Sequence, residues 1–437
     1  MATKGIEASH AEILGVYLEP TASESVRAGS LLRDQAGTVT FVVDDGYVDL
    51  GPARPILSLG FHAMAGEEDT IGRLRQRRDK VGNVANLPPF FANLLPEGAL
   101  RSVVEAQLPA TDNHEFGMLR RLGGDLPGAV VIREEKTAGA VVAASPRKAV
   151  NAIDDDAALV KFSLAGVQMK FSMVEAGDRL TLPARGESGR VIVKLPSRNY
   201  ADLPEIEFGA MTLARAAGVA IADIRLSPIS QIAGLKNEFL QYGKNVMVVT
   251  RFDRASERRV HMEDFAQILG AVGNQKYSKA NVETTARLCA RFTLDPNGTV
   301  LEMVRRIVVD LMLGNGDNHL KNSSFLYPDG RTPTLSPAYD IVPTVFFQPE
   351  DGLALPFGGK RNFEHIASRE FERMAGYVDV NAKAILREVT RTIERANDTW
   401  PTLLKDLSWP KAVTKALAAR WPRLALCEGT ANPFDGS

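Results

Sequence analysis

"GNGDNHLKNSSFLYPDGRTPTLSPAYD", residues 314–340, is the stretch on which the reading of this chain turns. Asp317, Asn318, His319, Lys321 and Asn322 fall within six consecutive positions, and a lone carboxylate, Asp340, follows after two short apolar runs. The segment before it, "TVLEMVRRIVVDLML", has helical periodicity and stops at Gly314, so the polar cluster falls on a loop at a helix C-terminus. "SSFLYP", the Asp-Gly turn and "TPTLSPAYD" read as a hairpin whose second strand delivers Asp340.

The step from Asp317 to Asn322 is that of the Asp and Asn in the catalytic loop of phosphoryl-transfer enzymes. In such chemistry a carboxylate orients the incoming hydroxyl and takes its proton, a role open to Asp317. A magnesium ion bridging nucleotide phosphates wants hard oxygens, which Asn322 and Asp340 could supply. Taken alone, Asn322 and Asp340 read equally well as a loop cap and a solvated strand end.

Upstream, Lys194 ends the apolar strand "VIVK", where a lysine is costly to bury unless an anion meets it. The alternative is a strand-end lysine reaching water. Glu207 lies thirteen residues on, in the amphipathic helix "LPEIEFGAMTLARAAGV" that Gly218 ends, and it either steadies Lys194 or sits exposed. "ALVKFSLAG" and "VQMKFSMVE" look like a hairpin bending near Gly166. Its glycine would let backbone N–H groups approach phosphate oxygens, with Lys170 adding charge; an ordinary hairpin accounts for it too.

Bulk properties frame this. The chain has 437 residues, 45% hydrophobic and 24% charged, which suits two or three domains with a buried core. A net charge of -1 gives no overall field toward nucleic acid or anionic membrane. The run "RLRQRRDK", Arg73 to Lys80, reads as a solvated face, or else as a contact for an acidic partner or DNA. With 2 Cys there is no disulfide framework and no thiolate zinc site. No run approaches ~18 uninterrupted apolar residues, and the start has no apolar leader segment. A cytoplasmic protein with no membrane contact is expected.

Short strands are expected over 11–60, a turn and helix over "LPPFFANLLPEGALRSVVEAQL", and an Ala-rich linker from 137 to 158. The expected fold class is α+β: a bilobal, protein-kinase-like fold with a β-rich N-terminal subdomain and a mainly helical C-terminal lobe. The boundaries are 1–136 for the subdomain, 137–158 for the linker, 159–255 for a nucleotide-binding lobe and 256–437 for the helical lobe.

"FSLAGVQMK", "VIVKLP", "LPEIEFGAMTLARAAGV", "RFDR", "HMEDFAQILG", "GDNHLKN" and "AYDIVPT" together resemble, in order, the HipA family of serine/threonine kinase toxins; "LPPFFANLLPEG" is similar to the signature of its N-terminal subdomain. The resemblance implies ATP and magnesium as cofactors, Asp317 as catalytic base, Asn322 and Asp340 as metal ligands, and Lys194 as the phosphate-binding lysine. It implies a phosphate loop over Ala165, Gly166, Val167, Gln168, Met169 and Lys170, and an adenine connector over Thr250, Arg251 and Phe252. His319, Leu320, Lys321 and Tyr339 match further nucleotide contacts. Ser163 matches the family's autophosphorylation site, where about two added negative charges would compete with ATP phosphates. The implied partners are a small DNA-binding antitoxin of the HipB type, DNA mainly through that antitoxin, and a protein substrate connected with translation, such as an aminoacyl-tRNA synthetase.

Three other readings are open. "GNGDNH" with "TDNH" at 111–114 loosely suggests a metal-dependent phosphoesterase, but two-metal hydrolysis needs more histidine and aspartate ligands than 6 His spread over the chain offer. A binding module that holds an antitoxin on DNA with vestigial kinase activity would suit the Arg73–Lys80 run. A small-molecule kinase would use Asp317 identically.

Overall fold

In the computed structural model the described residues are 10–21, 23–63, 66–81, 86–135, 168–183, 188–197, 200–256 and 258–435. The expected linker at 137–158, the first half of the hairpin around Gly166, and Ser163 with Ala165, Gly166 and Val167 lie outside them. The protein is α+β, with β-rich sheets in its N-terminal part and a helical C-terminal part. Two compact units divide it: residues 1–193 with 230–239 and 253–261, and residues 194–229 with 240–252 and 262–437.

In the first unit, strands β1 (His10–Thr21), β2 (Glu24–Asp34), β3 (Val39–Val43), β4 (Arg78–Val81) and β5 (Val130–Glu135) form a sheet ordered β4-β3-β2-β1-β5. Alternation drives it: Leu14, Val16 and Leu18 of β1, and Val39, Phe41 and Val43 of β3, all point into the core. Phe90 and Phe91 of the "LPPFFANLLPEG" stretch cap that face, Phe91 against Phe41 (ring centroids 4.8 Å apart) and Phe90 against Phe61 (5.7 Å). The basic run at 73–80 closes a helix (Glu67–Gln76) and opens the edge strand β4, with Arg73, Arg75, Arg78 and Lys80 exposed; charge there blunts the edge against further pairing.

A second sheet in this unit runs from Ile232–Ala233 through β7 (Arg179–Thr181) and β6 (Lys170–Ala176) to β8 (Val191–Lys194). Among the described residues β6 pairs antiparallel with β7 across the Gly177 turn. Beside this sheet, "GGDLPG" and "RFDR" meet. The buried Arg254 guanidinium donates to Asp125 (3.1 Å), Ser188 (2.8 Å) and Asp253 (2.8 Å), while the Gly128 N–H donates to Asp253 (2.9 Å). A buried arginine is tolerated because each of its edges has an acceptor.

The second unit is built on two helices. α1 (Leu203–Ala216) buries Ile206, Ala210, Met211, Leu213 and Ala214. α2 (Pro296–Leu313) is buried at every position from Arg306 to Leu313, as befits a helix at the centre of a core. Strands β9 (Ile224–Pro228) and β10 (Asn245–Thr250) pair antiparallel. β11 (His261–Asp264), β12 (Ser324–Tyr327) and β13 (Thr334–Leu335) form a small sheet. The hairpin at the Asp329-Gly330 turn exists as β12–β13, but β13 ends at Leu335 and does not carry Asp340. The chain instead crosses to the turn after α1, where Ala338 bridges Ile221 in parallel through Ala338 N–H to Ala220 O (2.7 Å) and Ala222 N–H to Ala338 O (3.1 Å).

Tryptophans fix α1. Trp409 donates its indole N–H to the carbonyls of Glu205 (3.2 Å) and Ile206 (3.1 Å), and Trp400 donates to Leu213 (2.8 Å). Trp409 comes so close because residue 209 is glycine: a Cβ there would lie 1.9 Å from the indole nitrogen. At an open helical position Gly→Ala gains up to about 1 kcal/mol. Here Gly209→Ala should reverse sign and cost about 1–3 kcal/mol through overpacking. Thermal and urea melts check this; a variant as stable as the parent would refute the tight contact.

Candidate active site

Lys194 is the last residue of β8 and is 3% exposed, while Glu207 on α1 is 1% exposed. The Lys194 ammonium donates to a carboxylate oxygen of Glu207 and to one of Asp340. Burial by itself would favour the neutral amine; the charges of Asp340 and Glu207 outweigh it and hold the ammonium pKa well above its ordinary value. Glu207 is therefore a buried ion-pair partner and not an exposed helical carboxylate. Its helix is tied two residues earlier too, where Asn245 Nδ2 donates to Glu205 (2.8 Å).

Asp340 sits in left-handed backbone, φ 57°, where a short polar side chain is among the few tolerated. Left-handed non-glycine residues cost energy and persist where surrounding structure fixes them. Here the Ala338 bridge fixes one side. The Tyr339 hydroxyl, buried and 2.6 Å from Ser324 Oγ, donates to the Lys321 carbonyl (2.9 Å). Burial raises that phenol's pKa and keeps it a donor. The residue before Asp340 is thereby bonded to the residue before Asn322.

The loop 315–322 has its own anchor. α2 ends on Gly314 in left-handed conformation (φ 69°), and its N–H bonds the Asp310 carbonyl. The Asp310 side chain, fully buried one turn inside the helix, accepts from Asn315 Nδ2 (2.7 Å) and Asn318 Nδ2 (2.5 Å). Burial pushes the Asp310 carboxyl up to about 7, against the opposing pull of Asn315, Asn318 and Arg306. On the loop's other side Gly316 N–H donates to Thr344 Oγ1 (2.7 Å). Asn322 Nδ2 then closes the loop onto the Asp317 carbonyl (2.7 Å).

With its amide nitrogen so engaged, Asn322 has its oxygen as the atom left for a ligand. Asp317 itself is half exposed, its side chain 51% accessible. It accepts from the Tyr277 hydroxyl (2.9 Å), and His319 Nε2 lies 3.9 Å away. The His319 ring is buried with an edge against Tyr277.

The remaining expected site residues are dispersed in character. Leu320, Lys321 and Asn322 form a buried single turn. Thr250 is exposed at the end of β10, with its N–H on the Asp223 carbonyl (2.8 Å). Arg251 is buried, and the Phe252 ring is 5.7 Å from Tyr339. Gln168, Met169 and Lys170 belong to the first unit, where Lys170 is buried at the start of β6.

Among the described residues no group of three or more His, Cys, Asp or Glu is arranged to hold a metal. One amide oxygen, from Asn322, and one carboxylate, from Asp340, are nevertheless a donor set that fits magnesium, which keeps several waters and takes phosphate oxygens as its other ligands. Two residues escaped the sequence reading. Tyr277 carried no signal. Asp310 did: a carboxylate inside "RRIVVDLMLG" is as conspicuous as the lysine of "VIVK".

Asp310 makes a pH-dependent contribution whose sign is fixed. Its folded pKa, about 7, lies above its ordinary 3.8, so the folded protein holds the proton more tightly than the unfolded chain. Its contribution is present in full below the ordinary value and declines as pH rises toward about 7. Urea midpoints of the parent and Asp310→Asn, compared from pH 4 to 8, should therefore diverge, the parent losing ground to the variant until about pH 7 and then running parallel. Parallel curves throughout would show that Asp310 is ionised in the folded state.

A family model described as "HipA N-terminal domain" matches residues 21–133, and one described as "HipA-like C-terminal domain" matches residues 162–400. A protein of Sinorhizobium fredii (strain NBRC 101917 / NGR234) named "Putative kinase Y4dM" is 35% identical over 408 residues, 91% of this chain and 94% of that one. The "Serine/threonine-protein kinase toxin HipA" of Shewanella oneidensis is 24% identical over 350 residues, 72% of this chain and 77% of that one. Among solved structures, the fold is similar to a chain of the Shewanella oneidensis HipA, HipB and operator DNA complex, with a TM-score of 0.66 and 20% identity over 94% of this chain and 96% of that one. No helix among the described residues is long and apolar enough to cross a membrane. By the family matches and the similarity along nearly its whole length, the chain belongs to the HipA family of kinases.

Proposed function

We propose that this protein is an ATP- and magnesium-dependent serine/threonine protein kinase, the toxin of a toxin–antitoxin pair. The observation that carries the reading is the buried ammonium of Lys194 held by Glu207 and Asp340. A cation kept charged at the end of a strand, steadied by a helical glutamate, is the device that kinases use on nucleotide phosphates. In the nucleotide-bound state Lys194 would exchange its bond to Asp340 for phosphate oxygens, leaving Asp340 and Asn322 to hold magnesium. The ion supplies charge neutralisation of the phosphates. Asp317, half exposed on a loop anchored at both ends, would orient the acceptor hydroxyl and take its proton. Residues 165–170 would cradle phosphates through backbone N–H groups, Thr250 to Phe252 would meet the adenine, and His319 to Lys321 with Tyr339 would line the nucleotide.

Ser163 is the proposed autophosphorylation site, lying just before that loop in sequence. The proposed substrate is a protein of translation, such as an aminoacyl-tRNA synthetase. The proposed partner is a HipB-type antitoxin, carried over from the Shewanella complex, through which the protein would reach DNA. Protein as acceptor, in place of a small alcohol, rests on the relative named a serine/threonine-protein kinase toxin.

The test is direct. Purified protein incubated with magnesium and labelled ATP should acquire label on Ser163. Chelation of magnesium should abolish it, Ser163→Ala should remove the site, and Asp317→Ala should slow transfer by roughly 100-fold or more, the range for loss of a general base. An unmutated protein that takes up no label and transfers none to protein substrates would overturn the kinase reading.

A further inference from the structure

The Asp317 carboxylate is bonded from outside its own loop. The Tyr277 hydroxyl donates to Asp317 Oδ1 at 2.9 Å, forty residues earlier in the chain. Tyr277 closes the short 3-10 segment Gly273–Tyr277, which is itself fixed. Its start is held by Val272 N–H on Gln275 Oε1 (3.1 Å), and its end by Arg361, which donates to the Tyr277 carbonyl (2.8 Å). That same guanidinium also donates to the Leu353 carbonyl (2.8 Å). The phenol ring stands edge-on to the buried His319 ring, centroids 5.0 Å apart. A hydroxyl so restrained lies at one defined place beside a carboxylate that is otherwise half open to solvent.

We infer that Tyr277 is a positioning residue for the reaction: its hydroxyl holds one oxygen of Asp317 so that the other faces the acceptor. The inference rests on Asp317 being the base proposed above. An unrestrained aspartate samples several rotamers, and proximity catalysis falls steeply when the base strays from hydrogen-bond reach of the acceptor. A bond donated to the ionised carboxylate also stabilises that form against protonation. In the transfer, the acceptor oxygen bonds to the γ-phosphorus as the bond from phosphorus to the β–γ bridging oxygen breaks. The acceptor proton passes to Asp317, ADP carries away the bonding pair, and Asp317 returns the proton to solvent. Tyr277 keeps its own proton throughout. Charged groups near this pair include His319, with Nε2 3.9 Å from Asp317, and Lys276, whose ammonium is 5.3 Å from the Tyr277 ring centroid.

Tyr277→Phe removes the hydroxyl and keeps the ring against His319. In the full-length protein, kcat for transfer from MgATP should fall about tenfold, the scale for losing one hydrogen bond to a charged group. KM for ATP should stay within about twofold and the thermal midpoint should be unchanged, since only the base is affected. A Tyr277→Phe protein that matches the parent in kcat, while Asp317→Ala is inactive, would overturn the positioning role alone. One that outpaces the parent would overturn it too, by showing that the phenol occupies the acceptor's seat. Native activity in Asp317→Ala would instead remove the base assignment, and this inference with it.

Discussion

The site depends on one buried cation. Lys194 ends a strand whose four residues are all buried, and an ammonium in such a place must be either neutralised or paired. Pairing it with both Glu207 and Asp340 ties three distant parts of the chain together: the end of β8, the second turn of α1 and the segment after β13. Two carboxylates around one ammonium leave the trio with a net negative charge, which makes room for a further cation. Removing either carboxylate costs more than a surface ion pair would, because a desolvated charge remains without its full complement.

The loop holding Asp317 obeys a different constraint. A helix end leaves carbonyls without partners, and α2 resolves this with a left-handed glycine and with Arg420, which donates to the carbonyls of Leu311 (2.8 Å) and Met312 (3.1 Å). Gly314 cannot be replaced cheaply, since a Cβ would come within 2.4 Å of Val345. The loop beyond has few apolar side chains to bury, so side-chain amides shape it: Asn315 and Asn318 on Asp310, and Asn322 on the Asp317 carbonyl. The asparagines of "GNGDNHLKN" thus build the turn that presents the aspartate.

How much of this was legible follows from what sequence can carry. Strong alternation gave β1 and β3, and a 3.6 period gave α1 and α2 with their glycine stops. β2 falls within the stretch expected to form strands, but "RAGS" blurs its alternation: Arg27 and Arg33 point outward to acidic partners, and Gly29 is small because a Cβ would meet the Val42 carbonyl at 2.3 Å. The hairpin after Asn322 was read correctly, but not its end, since the parallel bridge of Ala338 to Ile221 joins residues 117 positions apart and no local pattern announces it. The Asp125–Arg254 pair is unreadable for the same reason, though both motifs were visible separately. Asp310 was readable in principle, since a carboxylate within the apolar run of α2 must find buried donors.

Kinases are commonly controlled by moving the helix that bears the glutamate partner of the phosphate lysine. That lever is stiff here. α1 is pinned by two indole N–H groups on its backbone carbonyls, by Asn245 on Glu205, and by a glycine fitted against Trp409. Swinging the helix outward would break these bonds together and expose Trp409's bed as well as Glu207. The ion pair is accordingly part of the buried core of this unit. For the kinase proposed above, control would have to act away from this helix, on access to the carboxylates that hold Lys194.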